Sequence, residues 1–178
     1  KLNCDVLICG VERDDVAYIP KGNFVLKEKD VVSIVASPQN SAHFFKKIGI
    51  KTNRVKNAII AGGGETAYYL ALLLLQSSID VKIIEKNLSR CEMLCELLPN
   101  ATIIHADATD NRVLLEEGIE KTESFVSLTN MDEENILLSL FAKSKSNAKL
   151  VTKINKIAYD RVISTLNLDT IIYPKNIT

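Results

Sequence analysis

From Asn57 onward, short apolar runs alternate with longer segments in which apolar residues recur at helical spacing. The short runs predict strands, and several are nearly continuous in apolar residues, as strands buried on both faces require. Strands that alternate with helices predict a parallel sheet with right-handed crossovers. We therefore predict an α/β fold, a Rossmann-like doubly wound parallel sheet, with strands at 57–61, 80–85, 101–105, 123–128, 149–154 and 169–172, and helices at 65–77, 88–98, 110–117, 132–146 and 156–166.

The first fifty residues show a different pattern, in which short β-rich runs are separated by turn residues. The clearest run is Val31–Ala36, and Pro20–Asn23 has the composition of a turn. Ser37 and Pro38 favour the start of a helix, because proline is well tolerated in a first turn. The predicted elements are strands at 4–12, 16–19 and 31–36 and a helix over 37–49. They indicate a small antiparallel α+β unit.

The segment Ile50–Lys56 is polar and basic, and we interpret it as a linker. We accordingly expect two domains, at 1–52 and 57–178. The sequence ends just after the last predicted strand, which leads us to expect a fragment of a longer protein.

Charge and cysteine content narrow the function classes. Twenty-two basic and 22 acidic residues cancel, so no overall field favours nucleic acid or an anionic membrane. No apolar run reaches the roughly 18 residues of a membrane span, and the first residues lack the layout of a signal peptide. The four cysteines form no C-x-x-C pair. We expect buried or semi-buried reduced thiols in a cytosolic protein, and no metal site.

The glycine-rich segment Ala61–Ala67 joins the first strand of the predicted sheet to its first helix. Gly62 is expected to make the sharp turn, and Gly64 to let the backbone approach a pyrophosphate without a Cβ in the way. Ala67 takes the third position of the G-x-G-x-x-[GA] pattern, where close helix–strand packing needs a small side chain. The helix start offers free N–H groups to phosphate. Glu85, at the end of the next strand, completes an arrangement typical of dinucleotide binding.

Other residues at the C-terminal ends of the strands face the same predicted crevice. Together they offer backbone amides for phosphate, a carboxylate for ribose, small residues for the base and a lysine for charge. The candidate nucleotide-binding residues are Gly62, Gly63, Gly64, Glu65, Thr66, Ala67, Glu85, Lys86, Asp107, Ala108, Thr129 and Lys153.

Three charged candidates have two readings each. Glu85 is expected to accept hydrogen bonds from both ribose hydroxyls, which favours NAD or an adenosine nucleotide over NADP; the alternative is an exposed acid paired with Lys86. Glu65 suits the helix dipole but brings negative charge near the pyrophosphate, so it either turns outward or weakens binding. Lys153 is either a phosphate ligand or a solvated lysine.

Two crevice segments also have a structural interpretation. In Asp107–Asp110, either the residues contact the base or Thr109 or Asp110 caps the next helix. In Thr129–Asn135, Thr129 or Asn130 could likewise cap a helix whose first turn is acidic. His105 is expected to be a hydrogen-bonded structural residue rather than a general base.

The residues that catalysis would need are missing from the pattern. A hydride-transfer enzyme requires a proton donor or acceptor near the nicotinamide. The sequence has no Tyr-x-x-x-Lys pair, and no Ser/His/Asp set or metal cluster is apparent. Tyr68 and Tyr69 fall inside the first helix after the glycines. We therefore expect a site that binds a nucleotide without converting it, and a protein that is not an enzyme.

These motifs together resemble the RCK (KTN) family of nucleotide-binding regulatory domains. The segments that carry the resemblance are Ile59–Gly64, Thr66–Ala71, Glu85, Ala106–Asp110 and Leu128–Asn135. Residues 1 to about 50, with Arg13, Pro20–Gly22 and Asp30, resemble the small C-terminal domain of the same family. The resemblance implies an RCK_C-like α+β domain at 1–52, followed by an RCK_N Rossmann-like domain at 57–178.

The resemblance also implies a function. It implies a cytoplasmic regulatory subunit, peripheral on the inner face of the cell membrane, that binds NAD(H), ATP or ADP and gates a membrane potassium-uptake system. The implied partners are a potassium-translocating subunit of the TrkH/TrkG type and further copies of the same chain, in a dimer or tetrameric ring. The alternatives are an NAD-dependent oxidoreductase fragment without its substrate domain, and a regulator of a KefC-like potassium/proton antiporter.

Overall fold

Three antiparallel strands and one helix form the first of two units in the chain, Lys1–Arg54, and the second unit is Val55–Thr178. The computed structural model describes residues 4–50, 54–156 and 163–174. The elements of the first unit are β1 (Leu7–Arg13), β2 (Val16–Tyr18), β3 (Val31–Val35) and α1 (Pro38–Lys47). The strand order is β2-β1-β3. The predicted α+β unit is therefore confirmed.

Local chemistry explains where these elements begin and turn. Asp14 and Asp15 both adopt positive φ, 51° and 60°, between the paired residues Arg13 and Val16. Two such residues form the tight hairpin turn that matches the twist of the flanking strands. Ser37 caps α1, because its side chain accepts a hydrogen bond from the Asn40 N–H. The helix start predicted from the Ser-Pro pair is confirmed.

An ion pair closes the loop between β2 and β3. Arg13 donates from Nε and Nη2 to the two carboxylate oxygens of Asp30, at 2.7 and 2.6 Å. The same carboxylate accepts from the Lys27 N–H at 2.8 Å, and the guanidinium lies 5.3 Å from the ring centroid of Phe24. The hydrogen bond from Arg13, followed by that from Lys27, lowers the pKa of Asp30 from 3.8 to about 2.

This pair predicts an acid-sensitive part of the stability. Because folding lowers the pKa of Asp30, the ion pair stabilises the folded state fully above pH 3.8. This stabilisation is lost as the pH falls through about 2. We expect the difference in urea midpoint between the wild type and Asp30→Asn to narrow steadily over that range. A difference that stayed constant down to pH 2 would show that the Arg13–Asp30 pair is not its source.

The second unit is a six-stranded sheet in which all neighbouring strands are parallel. The strand order is β6-β5-β4-β7-β8-β9. Its strands are β4 (Asn57–Ala61), β5 (Asp80–Glu85), β6 (Thr102–His105), β7 (Ser124–Ser127), β8 (Lys149–Lys153) and β9 (Thr170–Ile172). Its helices are α2 (Glu65–Gln76), α3 (Leu88–Leu97), α4 (Asn111–Glu116) and α5 (Asp132–Lys145). The predicted Rossmann-like sheet is confirmed, with strand ends that differ by at most one residue.

One predicted helix has a different outcome. Most of the predicted helix over 156–166 lies on residues 157–162, outside the described part of the chain. Its last residues, Ser164–Leu166, form a 3-10 turn. Another 3-10 turn, Ile119–Lys121, leads into β7.

Both faces of the sheet are covered, as the continuous apolar strands predicted. On one face Ile60 and Ile83 pack with Ala67 of α2 and Leu94 of α3. On the other face Ile59, Ile84 and Phe125 pack with Leu114 of α4 and Leu138 of α5. The alternation along β4 therefore buries consecutive residues in two different layers. Across the described parts of the chain, none of the helices combines the length and apolarity that a membrane crossing needs.

Candidate functional site

A crevice of about 350 Å³ lies at the C-terminal ends of β4, β5, β6 and β7. The strand order runs outward in opposite directions from β4, to β5 and β6 on one side and to β7, β8 and β9 on the other. A sheet of this kind has an open cleft at that point, at the C-terminal ends of its strands. The candidates that line it are Gly62, Gly63, Gly64, Glu85, Lys86, Asp107, Ala108 and Thr129. The candidates that are not among its lining residues are Glu65, Thr66, Ala67 and Lys153.

The glycine turn has the geometry expected of it. Gly62 has φ of 97°, and a Cβ there would lie 3.0 Å from backbone atoms of Leu128 and Thr129. Glycine is therefore required at this position both by conformation and by contact. Gly64 is the N-cap of α2, and a Cβ built on it would meet nothing within 4 Å. The backbone at Gly64 is open to a ligand.

The start of α2 has no side-chain cap. Its first-turn amides and the positive end of its dipole therefore remain suited to an anion. The side chains of Glu65 and Thr66 are exposed and do not line the crevice. Of the two alternatives for Glu65, the outward orientation fits the structure. Ala67 is fully buried and packs against the sheet, as the pattern predicted.

Glu85 is engaged with the backbone rather than paired with Lys86. Its Oε2 accepts from the Gly63 N–H at 2.6 Å and its Oε1 accepts from the Asn87 N–H at 2.7 Å. A carboxylate offers about four acceptor sites, so these two bonds leave capacity for ribose hydroxyls. They also make Glu85 part of the scaffold of the glycine turn, a role that the sequence did not indicate.

Arg90 is a crevice residue that the sequence analysis missed. It lies in the first turn of α3, is half-buried, and donates from Nε to the Gly63 carbonyl at 2.6 Å. Asn87 also lines the crevice and caps α3 by accepting from the Arg90 N–H at 2.9 Å. The available signal was a basic residue five positions after the strand-end acid, in the first turn of the next helix.

The segment Asp107–Asp110 fits both of the interpretations considered for it: Asp107 lines the crevice, and Asp110 caps the next helix. Asp110 caps α4 by accepting from the Arg112 N–H. Asp107 lines the crevice and accepts from both the N–H and the hydroxyl of Thr109, at 2.9 and 2.7 Å. These bonds lower the pKa of Asp107, and the charge of Lys86 lowers it further. The β6 side of the crevice thus carries an ionised acid near a lysine.

Of the two interpretations left open for Thr129–Asn135, the one in which Thr129 or Asn130 caps the following helix is wrong. Helix α5 begins at Asp132 with Met131 at the N-cap. The hydroxyl of Thr129 instead accepts from the Met131 N–H at 3.2 Å. This turn directs Thr129, Asn130 and Met131 along the crevice wall. Two further lining residues, Leu128 and Glu134, complete that side.

The amide side chain of Asn135 and the carboxylate of Asp132 connect this wall to the next strand, β8, and to the residues that follow it. The buried Asn135 accepts from the Thr129 N–H and donates to the carbonyls of Thr129 and Lys153, at 2.9 to 3.1 Å. Asp132, 3% exposed, accepts from the N–H groups of Asn155 and Lys156 at 2.8 and 2.9 Å. The acidic residue at the start of α5 therefore has a structural use that sequence could not reveal.

Lys153 and His105 lie beside the crevice rather than in it. The ammonium of Lys153 donates to the Leu128 carbonyl at 3.4 Å. Burial lowers the pKa of Lys153, and the charge of Asp132 opposes that effect. His105 Nε2 lies 3.1 Å from the Lys86 carbonyl, which agrees with a hydrogen-bonded structural histidine.

Within residues 4–50, 54–156 and 163–174, no group of three or more His, Cys, Asp or Glu side chains could hold a metal ion. Cys91 is buried and donates to the Glu85 carbonyl at 3.3 Å, and burial raises the pKa of its thiol. Cys9 and Cys95 are exposed, so the prediction of buried or semi-buried thiols is wrong for these two.

Comparison with known proteins matches both units. Residues 58–174 match the TrkA-N domain family and residues 1–49 match the TrkA-C domain family. The Trk system potassium uptake protein TrkA of Halomonas elongata is 33% identical over 98% of this chain, which spans 38% of that relative. The Trk system potassium uptake protein trkA homolog 1 of Methanosarcina mazei is 30% identical over 97% of this chain, which spans 43% of that relative.

A solved structure has the same fold. The GsuK channel bound to NAD aligns with a TM-score of 0.64 and 20% identity, over 94% of this chain and 30% of that one. Because the chain spans about two fifths of the curated relatives, these matches describe a part of such proteins. The chain belongs to the TrkA-N domain family, and its first 49 residues match the TrkA-C domain family.

Proposed function

We propose that the crevice binds an adenine nucleotide, NAD(H), ATP or ADP, and that the chain is a non-catalytic regulatory part of a potassium-uptake system. The observation that carries the proposal is the uncapped start of α2, which follows a glycine turn and faces a crevice containing a strand-end acid. The names of the relatives support the link to potassium uptake. The NAD-bound GsuK structure supports a nucleotide for a fold of this kind.

We assign the binding roles as follows. The amides from Gly64 to Ala67 receive phosphate through the backbone, so the outward side chains of Glu65 and Thr66 are compatible with that role. Glu85 receives ribose hydroxyls with its remaining acceptor sites. Lys86 supplies charge at the rim, while Asp107, Ala108 and Thr129 adjoin the base. Lys153 acts through its hydrogen bond to the Leu128 carbonyl.

The two units correspond to two domains in this proposal. The small antiparallel unit is a TrkA-C-like domain at 1–52, and the parallel sheet is a TrkA-N domain at 57–178. The matched ranges, 1–49 and 58–174, support these boundaries. The protein acts in the cytoplasm, at the inner face of the membrane, as a homo-oligomer that contacts a TrkH/TrkG-like translocating subunit. Nucleotide binding regulates that partner only if the nucleotide binds two conformations with different affinities.

A direct binding test decides the central claim. We expect calorimetry to detect NADH, ATP or ADP binding, with adenosine binding much more weakly because it lacks the phosphates that the α2 amides receive. NADH incubated with a panel of carbonyl substrates should remain reduced, as followed at 340 nm. Lack of binding by every adenine nucleotide would contradict the proposal, and sustained oxidation of NADH would support the oxidoreductase alternative.

A further inference from the structure

Four hydrogen bonds join Gly63 and the segment Glu85–Arg90 in a closed ring. The Gly63 N–H donates to Glu85 Oε2 at 2.6 Å, and the Asn87 N–H donates to Oε1 of the same carboxylate at 2.7 Å. The Arg90 N–H donates to Asn87 Oδ1 at 2.9 Å, and Arg90 Nε donates back to the Gly63 carbonyl at 2.6 Å. Side chains from one short segment therefore hold both polar groups of Gly63.

Packing fixes Gly63 as well. A Cβ at this position would lie 2.7 Å from Leu94 Cδ1 and 3.0 Å from Cβ and Cγ of Glu85. At the adjacent Gly64 the same construction meets nothing within 4 Å. The ring thus immobilises the middle of the glycine turn and leaves the next residue open on the crevice.

We propose that Arg90 is a positioning residue for the nucleotide, which keeps the glycine turn in its binding conformation by holding the Gly63 carbonyl. This inference deepens the proposed nucleotide-binding function and rests on it. A turn that is ordered before binding loses less conformational entropy when the ligand arrives, so the same contacts give higher affinity. A short hydrogen bond from a charged donor is well suited to that task.

A direct contact between the guanidinium and phosphate is the competing role, because Arg90 also lines the crevice. The two roles require different atoms. Positioning requires the N–H at Nε, whereas a direct contact requires the charge at the end of the side chain. Glutamine carries an N–H donor at the same number of bonds from Cα as arginine Nε. Methionine carries a methyl group there, and lysine carries a methylene while keeping the charge.

Substitutions at Arg90 separate these roles. In the nucleotide-free chain, we expect Arg90→Met to accelerate amide exchange in the peptide 62–67 about tenfold. Its affinity for ADP and for NAD should fall about tenfold, equivalent to about 1.4 kcal/mol, a loss of the size typical for one intramolecular hydrogen bond. Arg90→Gln should stay within about twofold of the wild type in both measurements, and Arg90→Lys should resemble Arg90→Met.

The control is Arg112→Met, which removes an arginine whose side chain is 84% exposed and should change neither quantity. Unchanged exchange in Arg90→Met would overturn the proposal. The proposal would also be overturned if Arg90→Lys kept the wild-type affinity for ADP and NAD while Arg90→Gln lost it. If Arg90→Met does not fold, Arg90→Lys and Arg90→Gln give the same comparison. Absence of wild-type binding would defeat the proposed function and the affinity part of this inference, whereas the exchange measurement, which needs no nucleotide, separately tests whether Arg90 holds the turn.

Discussion

Gly62→Ala is expected to destabilise the second unit by about 3 kcal/mol, the combined cost of a left-handed backbone in a residue with a Cβ and of an overpacked contact. The φ of 97° excludes a relaxed alanine, and the new Cβ would lie 3.0 Å from the carbonyl of Leu128 and the nitrogen of Thr129. Those atoms belong to the backbone after β7, so they cannot move aside as the end of a flexible side chain can. Urea unfolding followed by circular dichroism measures the loss.

Gly64→Ala is the matched control, two residues away. The φ of Gly64 is −63° and its Cβ position is empty, so stability should change by less than about 1 kcal/mol. Nucleotide affinity should nevertheless fall, because the new Cβ would occupy the open approach to the α2 amides. If Gly62→Ala and Gly64→Ala lost equal stability, the positive φ and close backbone contact at Gly62 would not be the cause of the loss. Unchanged affinity in Gly64→Ala would remove Gly64 from the binding site.

Glu85→Ala is expected to weaken NAD binding by about 3 kcal/mol, roughly 100-fold. Two effects combine in this loss. The ribose loses its carboxylate acceptor, and the N–H groups of Gly63 and Asn87 lose theirs. The second effect disturbs the turn itself, so we also expect the free energy of unfolding to fall by about 1–3 kcal/mol. Calorimetry measures the first quantity and urea unfolding the second.

Glu85→Gln separates the two effects. Its carbonyl oxygen can still accept from one of the two N–H groups, so stability should lie between the wild type and Glu85→Ala. The amide neither carries charge nor repels a 2′-phosphate, so preference for NAD over NADP should decrease. A Glu85→Ala variant that bound NAD as the wild type does would remove Glu85 from the ribose site, and unchanged stability would remove it from the scaffold.

Much of this architecture was accessible from sequence because its causes are local. Several of the six strands are apolar enough to be buried on both faces, and Gly62 and Ala67 each occupy a position that requires a small residue. Ser37 and Asp110 cap helices by bonding to amides two or three residues away. Patterns within a few residues suffice for such features.

The unpredicted features depend on partners that only the fold brings together. Arg90 bonds to a carbonyl 27 residues earlier, and Asp132 to amides 23 and 24 residues later. Neither Thr129 nor Asn130 caps α5, because the hydroxyl of Thr129 is used in the turn to Met131. Cys9 is exposed although its strand is apolar, because alternate residues of β1 lie on a face that is not buried within its unit. Apart from the local Thr129–Met131 turn, these outcomes depend on contacts between residues distant in sequence or on the burial of a whole face.

The bonds of Asn135 and Asp132 have a mechanical consequence. They tie the Thr129–Met131 wall to the end of β8 and to the residues after it, so that side of the crevice is stiff. On the opposite side, the hydrogen bonds of the Asp107 carboxylate within the described chain reach only Thr109. We therefore expect the two walls to differ in compliance, so that an occupant that needs more room displaces the Asp107 side rather than the Asn135 side.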